Sequence, residues 1–106
     1  MAGKLQLPPL QALVVFEAAA RLGNFTAAGN ELGLSQPAVS QRIQSLENRV
    51  NAPLFERRHR EVKLTESGSS LYLIVRNSLN DISEQLERTR HQRSVLRIDT
   101  DMGFAS

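Results

Sequence analysis

With 106 residues and no cysteine, the chain is long enough for one small domain and excludes disulfide frameworks and thiolate metal sites. Hydrophobic residues make up 41% of it but aromatic residues only 5%, a composition that favours helices packed on helices through Leu, Val, Ile and Ala. The net charge is only +2, and no segment approaches the roughly 20 apolar residues of a membrane span, so we expect a cytoplasmic protein without a membrane segment.

The first two predicted elements are helices that end at glycine residues. The first begins at Pro8 and Pro9, because proline is tolerated in a first helical turn and no deeper. Gly23 is predicted to end it, as a glycine just past the last turn does. Thr26 is the predicted N-cap of a second, short helix, and Gly33 closes that helix.

A third helix follows after a short turn, which gives a helix-turn-helix pattern. Ser35 is its predicted N-cap. Plotted at about 100° per residue, the helix has an apolar stripe, an opposite half of uncharged residues and a cationic flank. The stripe is Val39, Ile43, Leu46 and Val50, the uncharged half is Pro37, Ser40, Gln41, Gln44 and Asn48, and the flank is Arg42 and Arg49.

After the third helix, the spacing of apolar residues changes from a helical pattern to one typical of short strands. Asn51 is predicted to end the helix in the left-handed conformation, and Pro53 prevents the helix from resuming. Residues 54–57 and 61–64 are predicted to form two short strands around a turn at residues 58–60.

The last predicted helix begins at its N-cap Thr65 and runs to about Arg93. Apolar residues recur in it at intervals of four, four, three and four, which predicts a seam of about two heptads. A helix of this length measures roughly 40 Å. A partner chain is the simplest cover for the seam, and the alternative is a helix that folds back on its own domain. The seam residues are Leu71, Val75, Leu79, Ile82 and Leu86.

After this helix, a strand is predicted to begin at residues 95–98.

The residue types of the third helix match the chemistry of double-stranded DNA. Glutamine offers a donor and an acceptor that suit adenine, serine pairs with several base edges, and proline can contact a thymine methyl group. Clustered cations bind phosphates, although a solvated surface is the alternative that charge alone leaves open. The predicted base-facing residues are Gln36, Pro37, Ser40, Gln41 and Gln44. The predicted phosphate or minor-groove residues are Arg42, Arg49, Arg57, Arg58 and Arg60, with Thr26, Ser35 and Thr65 as capping or phosphate-binding hydroxyls.

An enzyme is not expected from this sequence. The two histidines, His59 and His91, belong to no cluster with metal-ligand spacing, and no glycine-rich phosphate loop is present. A protein-interaction module built on the long helix and a non-specific DNA-binding protein remain alternatives to a protein that binds one specific DNA sequence.

Several runs of residues together resemble the N-terminal domain of LysR-type transcriptional regulators over roughly residues 7–90. They are Phe25-Thr26-Ala27-Ala28, Ser35-Gln36-Pro37-Ala38-Val39-Ser40 and Pro53-Leu54-Phe55-Glu56-Arg57, followed by Gly68. The opening Leu7-Pro8-Pro9-Leu10 is similar to the subgroup that regulates glycine cleavage and β-lactamase. Departures from the family pattern are Asn51 in place of glycine, and His59 and Glu61 on either side of Arg60.

The resemblance implies a mainly α fold with a winged helix-turn-helix over residues 7–65 and a linker and dimerisation helix over residues 66–93. Residues 94–106 would be the truncated start of an effector-binding domain. The family's full-length members bind a small-molecule co-inducer in that domain, and no cofactor is expected to bind residues 1–106 themselves. The implied partners are an inverted-repeat promoter site on double-stranded DNA and a second copy of the chain, with a tetramer left open for the full-length protein.

Overall fold

The structure is a computed structural model that describes the backbone of residues 6–105 and the side chains of residues 6–93. Four helices and a two-stranded antiparallel sheet confirm the predicted mainly α class. The chain divides into two compact units, of which the first ends at Arg76 and the second begins at Asn77. The elements are α1 (Leu10–Leu22), α2 (Phe25–Leu32), α3 (Gln36–Val50), β1 (Phe55–Arg58), β2 (Glu61–Leu64) and α4 (Glu66–Ala105).

Helix α1 begins and ends where the sequence predicts. Pro9 precedes its first residue, and Gly23 follows its last in the left-handed conformation with φ 67°. The Gly23 N–H donates to the carbonyl of Ala19 at 2.9 Å, which satisfies one of the last carbonyls of the helix. Its buried face consists of Ala12, Val15, Phe16, Ala18 and Ala19.

The N-cap of α2 is Asn24, so the prediction that Thr26 caps this helix is wrong. The Asn24 side chain accepts a hydrogen bond from the Ala27 N–H at 2.8 Å, from an extended backbone with φ −160°. Thr26 is already inside the first turn, where a hydroxyl cannot take the capping position. Asn24 Nδ2 also donates to the Arg60 carbonyl at 3.0 Å, and so one side chain fixes both the start of α2 and the hairpin.

Replacing Asn24 with alanine is therefore expected to destabilise the protein by about 1–2 kcal/mol, since the cap and the bond to Arg60 are both lost. Urea unfolding followed by circular dichroism measures this difference. Thr26→Ala is the matched control and is expected to change stability by less than about 0.5 kcal/mol. A larger loss in Thr26→Ala than in Asn24→Ala would contradict the assignment of the cap.

Arg21 of α1 forms ion pairs with Glu17 of its own helix and with Glu31 of α2, and the second pair joins the two helices. Its Nε donates to Glu17 Oε2 at 2.9 Å, and its Nη1 donates to Glu31 Oε1 at 3.2 Å. The hydrogen bonds to Glu31 and Glu17 raise the pKa of Arg21, and the bond from Arg21 lowers the pKa of Glu31. The small stabilisation from Glu31 is therefore present above its unfolded-state pKa and is lost as the pH falls through its folded-state value.

Helix α3 has the predicted caps at both ends. Ser35 Oγ accepts from the Ala38 N–H at 3.2 Å, and Asn51 adopts the left-handed conformation with φ 57° and ψ 42°. Three of the four predicted stripe residues are buried, namely Val39, Ile43 and Leu46. Val50 is 45% exposed because it is the last residue of the helix, beyond the part that packs on α1 and α2.

Aromatic rings contribute more to the core than their low content suggests. Phe16 lies between Phe55, with ring centroids 5.5 Å apart, and Tyr72 at 6.4 Å. Phe25 meets Phe55 edge to face, also at 5.5 Å. Val75 is only 5% exposed, so the first turns of α4 pack in the first unit.

The hairpin forms with a tighter turn than the sequence predicts. Phe55 pairs with Leu64 and Arg58 with Glu61, which leaves a loop of two residues, His59 and Arg60, rather than three. His59 has φ 54°, a conformation in which histidine is enriched among non-glycine residues. The loop therefore closes without the glycine that such hairpins usually carry.

Helix α4 continues to Ala105, so the strand predicted at residues 95–98 is wrong and the helix ends later than Arg93. A strand needs a neighbour to satisfy its backbone groups, whereas extending an existing helix adds one internal hydrogen bond per residue. The side chains of residues 94–106 lie outside the described residues, and the start of a further domain there stays a prediction. Within the described part of the chain, none of the helices has an apolar stretch long enough to cross a membrane.

Candidate nucleic-acid interface

The predicted base-facing side chains lie on the outward surface of α3. Burial of Val39, Ile43 and Leu46 turns the opposite half of the helix towards solvent. Ser40 is the exception among the predicted set, since it is half-buried at the edge that faces the hairpin. The exposed residues are Gln36, Pro37, Gln41 and Gln44.

One edge of this surface is anchored to the segment around the start of α1. Arg42 Nε donates to Gln11 Oε1 at 3.2 Å, and Arg49 Nη2 donates to the Leu7 carbonyl at 2.7 Å. A guanidinium has five N–H donors, so each of these contacts leaves others for a phosphate. Gln11 and Leu7 have no sequence signal that relates them to α3, and sequence reasoning missed their contribution.

The other edge is formed by the hairpin, which we call the wing (residues 55–64). Arg57 lies on its inner face, with its guanidinium carbon 5.0 Å from the ring centroid of Phe25. Its Nη2 donates to Ser40 Oγ at 3.3 Å. An open groove runs between the wing and the starts of α2 and α3, lined among others by Thr26, Asn30, Gln36, Arg57, His59 and Arg60.

The wing is tied to the helices at its tip and at its base. The Arg60 carbonyl accepts from Asn24, and the Val62 N–H donates to the Gly23 carbonyl at 3.0 Å. Glu47 accepts from the backbone N–H groups of Leu54 and Phe55 at 2.7 and 3.2 Å. The tip therefore holds Arg60 at a defined position beside α2 while its side chain stays exposed. Asn24 and Glu47 were missed by sequence reasoning, although an asparagine directly before a helix is a capping signal.

Charges on the outer face of the wing balance each other. Arg58 Nη2 lies 3.6 Å from Glu56 Oε2, and the strand register places Glu61 opposite Arg58 and Lys63 opposite Glu56. Glu61 therefore faces a cation rather than standing alone beside a phosphate. Arg57 on the inner face and Arg60 at the tip are the wing cations outside this balanced set.

The three predicted hydroxyl contacts have different surroundings. Thr65 Oγ1 donates to the Pro53 carbonyl at 2.7 Å and accepts from the Gly68 N–H at 3.0 Å. With its hydrogen already committed, Thr65 is a cap, and the prediction that it contacts phosphate is corrected. Ser35 is exposed and uses an acceptor site for its cap, so its hydrogen is still available, and Thr26 is exposed beside the groove.

The predicted seam of α4 divides between the two units. In the first unit Val75 is covered by its own chain, which corrects its assignment to a dimer contact, and Leu71 is half-buried. In the second unit Ile82 is 49% and Leu86 65% exposed, while Leu79 is half-buried. Leu73 and Ile74, which the seam did not include, are exposed as well.

No group of three acidic, histidine or cysteine side chains within the described residues could hold a metal ion. The surface around α3 therefore consists of an uncharged polar helix face with arginines along its two edges. Such a face can form hydrogen bonds with base edges, and the arginines can bind phosphate oxygens.

Comparison with known sequences gives a family match over most of the first unit. Residues 10–69 match the model of bacterial regulatory helix-turn-helix proteins of the lysR family. The chain is 40% identical over 102 residues to the glycine cleavage system transcriptional activator of Escherichia coli K12, covering 94% of this chain and 33% of that protein. It is 44% identical over 92 residues to the HTH-type transcriptional activator AmpR of Pseudomonas aeruginosa, covering 85% of this chain and 31% of that protein. The chain thus spans about a third of the length of the curated relatives it matches.

Solved structures with the same architecture include DNA complexes. The crystal structure of a CbnR_DBD–DNA complex superposes with a TM-score of 0.70 at 32% identity, covering 78% of this chain and 95% of that chain. The BenM_DBD/catB site 1 DNA complex superposes with a TM-score of 0.74 at 31% identity, covering 79% of this chain and 94% of that chain. Both the winged helix-turn-helix fold and the family resemblance seen in the sequence are confirmed.

Proposed function

The chain belongs to the LysR family of bacterial regulatory helix-turn-helix proteins, and from this premise we propose that it binds a specific double-stranded DNA site as the DNA-binding part of a transcription regulator. The observation that carries the proposal is the exposed, uncharged face of α3 between two edges of arginines. A helix face that only contacts water would not need three glutamines, Gln36, Gln41 and Gln44, and its cations would not be confined to its edges.

In the proposed complex, α3 enters the major groove and the wing approaches the adjacent minor groove. Gln36, Gln41 and Gln44 form hydrogen bonds with base edges, and Pro37 contacts a thymine methyl group. Arg60, at the wing tip, enters the minor groove, whose narrow A·T stretches attract arginine. The remaining phosphate contacts come from Ser35, Thr26, Arg42, Arg49, Arg57 and Arg58, which fix the register of the helix on the duplex.

We further propose that two copies act together through the exposed apolar residues of α4. Two recognition helices about one turn of DNA apart would read an inverted repeat. We also propose that the full-length protein acts in the bacterial cytoplasm and responds there to a small-molecule co-inducer, as the family resemblance implies. The same resemblance leaves a tetramer open for the full-length protein.

The base-reading role of Gln41 is tested on a duplex that the chain selects from a randomised pool. Gln41→Ala is expected to weaken binding to the selected duplex by about 1–3 kcal/mol and to leave binding to random DNA unchanged. Electrophoretic mobility shifts or fluorescence anisotropy measure both affinities. Asn48→Ala, on the same helix face but nearer its end, is the control and is expected to have a smaller effect.

A second variant separates phosphate binding from base reading. Arg49→Ala, which removes a proposed phosphate contact, is expected to weaken binding to both duplexes equally and to lower the slope of log affinity against log salt by about 1. Equal losses on both duplexes for Gln41→Ala would show that this residue does not read bases. Selection of no preferred sequence would favour a non-specific DNA-binding protein, and salt-independent or absent DNA binding would favour an interaction module.

A further inference from the structure

Arg57, in β1 of the wing, contacts Phe25 of α2 and Ser40 of α3, and both contacts are directional. Its guanidinium stands over the ring of Phe25, 5.0 Å from the centroid, and its Nη2 donates to Ser40 Oγ at 3.3 Å. A cation that serves only as a point charge for phosphate needs neither an aromatic surface nor a hydrogen bond to the neighbouring helix. The planar fork of arginine suits both.

The aromatic surface under Arg57 is part of the core and therefore rigid. Phe25 is buried and meets Phe55 edge to face with an interplanar angle of 86°. Phe55 and Arg57 are two residues apart in β1, so both side chains lie on the inner face of the wing. The core thus sets the position of the guanidinium, and the guanidinium sets the position of its hydrogen bond to α3.

This hydrogen bond constrains the hydroxyl of Ser40. A serine hydroxyl has one hydrogen to donate and two lone pairs that accept. Because Ser40 Oγ accepts from Arg57, its own hydrogen points away from the guanidinium and is available as a donor. In the major groove, guanine N7 and O6, adenine N7 and thymine O4 accept hydrogen bonds, whereas the cytosine amino group only donates.

We propose that Arg57 is a positioning residue that holds the Ser40 hydroxyl as a hydrogen-bond donor, so that α3 selects an acceptor at one base position of its site. This inference rests on the proposed DNA-binding function. It assigns to Arg57 a contribution to sequence preference that acts through Ser40, in addition to any contact that the guanidinium makes with a phosphate.

The test is a double-mutant cycle between Arg57→Lys and Ser40→Ala, measured on the duplex that the wild-type chain selects and on random DNA. Arg57→Lys keeps the charge but loses the stacked planar fork, and Ser40→Ala removes the hydroxyl. Each change alone is expected to lower the ratio of selected-site to random affinity about tenfold. In the Ser40→Ala background, Arg57→Lys is expected to change this ratio less than about twofold, because the group through which it acts is gone.

Lys63→Arg is the matched control, since Lys63 lies on the outer face of the wing opposite Glu56 and the change keeps its charge, and it is expected to leave the ratio unchanged. A second selection with Arg57→Lys is expected to yield sequences that lose their preference at one base position, with an unfolding midpoint like that of the wild type. Additive effects in the cycle, or an unchanged ratio in Arg57→Lys, would overturn the inference while leaving the proposed function intact. Selection of no preferred sequence by the wild-type chain would instead refute the proposed function itself.

Discussion

Replacing Gly68 with alanine is expected to destabilise the protein by about 3 kcal/mol, although glycine to alanine in a helix normally stabilises by about 1 kcal/mol. Gly68 is in the first turn of α4 and is buried against the segment before the wing. A Cβ atom there would lie 2.1 Å from the Leu54 carbonyl oxygen and 2.9 Å from Leu64 Cδ2. Backbone cannot move aside as a side chain does, so α4 or the start of the wing must shift.

The shift would reach the contacts that hold α4 to the rest of the first unit. The Leu54 carbonyl accepts from the Thr65 N–H at 3.0 Å, and Thr65 also binds the neighbouring Pro53 carbonyl. Leu54 itself is fully buried in the core. A loss of about 3 kcal/mol is a large part of the roughly 5–15 kcal/mol that usually separates folded from unfolded states. Urea unfolding measures it.

Ser67→Ala is the matched control for Gly68→Ala, because Ser67 lies in the same turn and is exposed. It is expected to leave stability within about 0.5 kcal/mol of the wild type. If Gly68→Ala were as stable as Ser67→Ala, the close approach of α4 to Leu54 would be wrong.

Features that depend on neighbouring residues could be predicted from the sequence. Gly23, Ser35 and Asn51 end or begin helices as expected, since each cap is made within four residues of its own position. The buried stripe of α3 follows from its period alone. The one misplaced cap, Thr26 instead of Asn24, arose where two capping residues stand close together and only the backbone conformation decides between them.

Contacts between distant residues could not be predicted in this way. Nothing in the sequence relates Arg57 to Ser40, Arg42 to Gln11 or Gly68 to Leu54, because each pair meets only when separate elements pack. Gly68 belongs to the family pattern, but its reason is a close approach of backbone rather than a turn. The strand predicted at residues 95–98 failed for the opposite reason, since four residues of pattern do not supply a pairing partner.

The arginines that sequence reasoning treated as one set also have different surroundings. Arg42 and Arg49 are held by the segment around the start of α1, Arg57 by an aromatic ring and a hydroxyl, and Arg58 beside a carboxylate. Phosphate binding by these arginines would therefore add to contacts that already restrict them. Pre-ordered side chains lose less conformational entropy on binding, which favours a defined register on the duplex.

The second unit has large apolar side chains that are exposed within their own chain. Ile82 and Leu86 recur with Leu79 at intervals of three and four, so they share one face of the helix. Large apolar side chains that repeat in this way on a helix are typical of contacts between chains. A second copy presenting the same face is the occupant that the proposed inverted repeat requires, because it supplies the second recognition helix.

Replacing Leu86 with aspartate is expected to convert the proposed dimer into monomers and to reduce affinity for a duplex with two half-sites at least about 100-fold. A carboxylate in an apolar contact between chains loses hydration without gaining a partner. Leu86 is 65% exposed within its own chain, so the fold of the monomer is expected to be retained. Sedimentation velocity measures the mass, and affinity for a single half-site is expected to remain unchanged, since each monomer keeps its own α3 and wing. The control Asn80→Asp adds the same charge away from this face of the helix and is expected to remain dimeric. If Leu86→Asp also formed dimers, the proposed contact would be wrong.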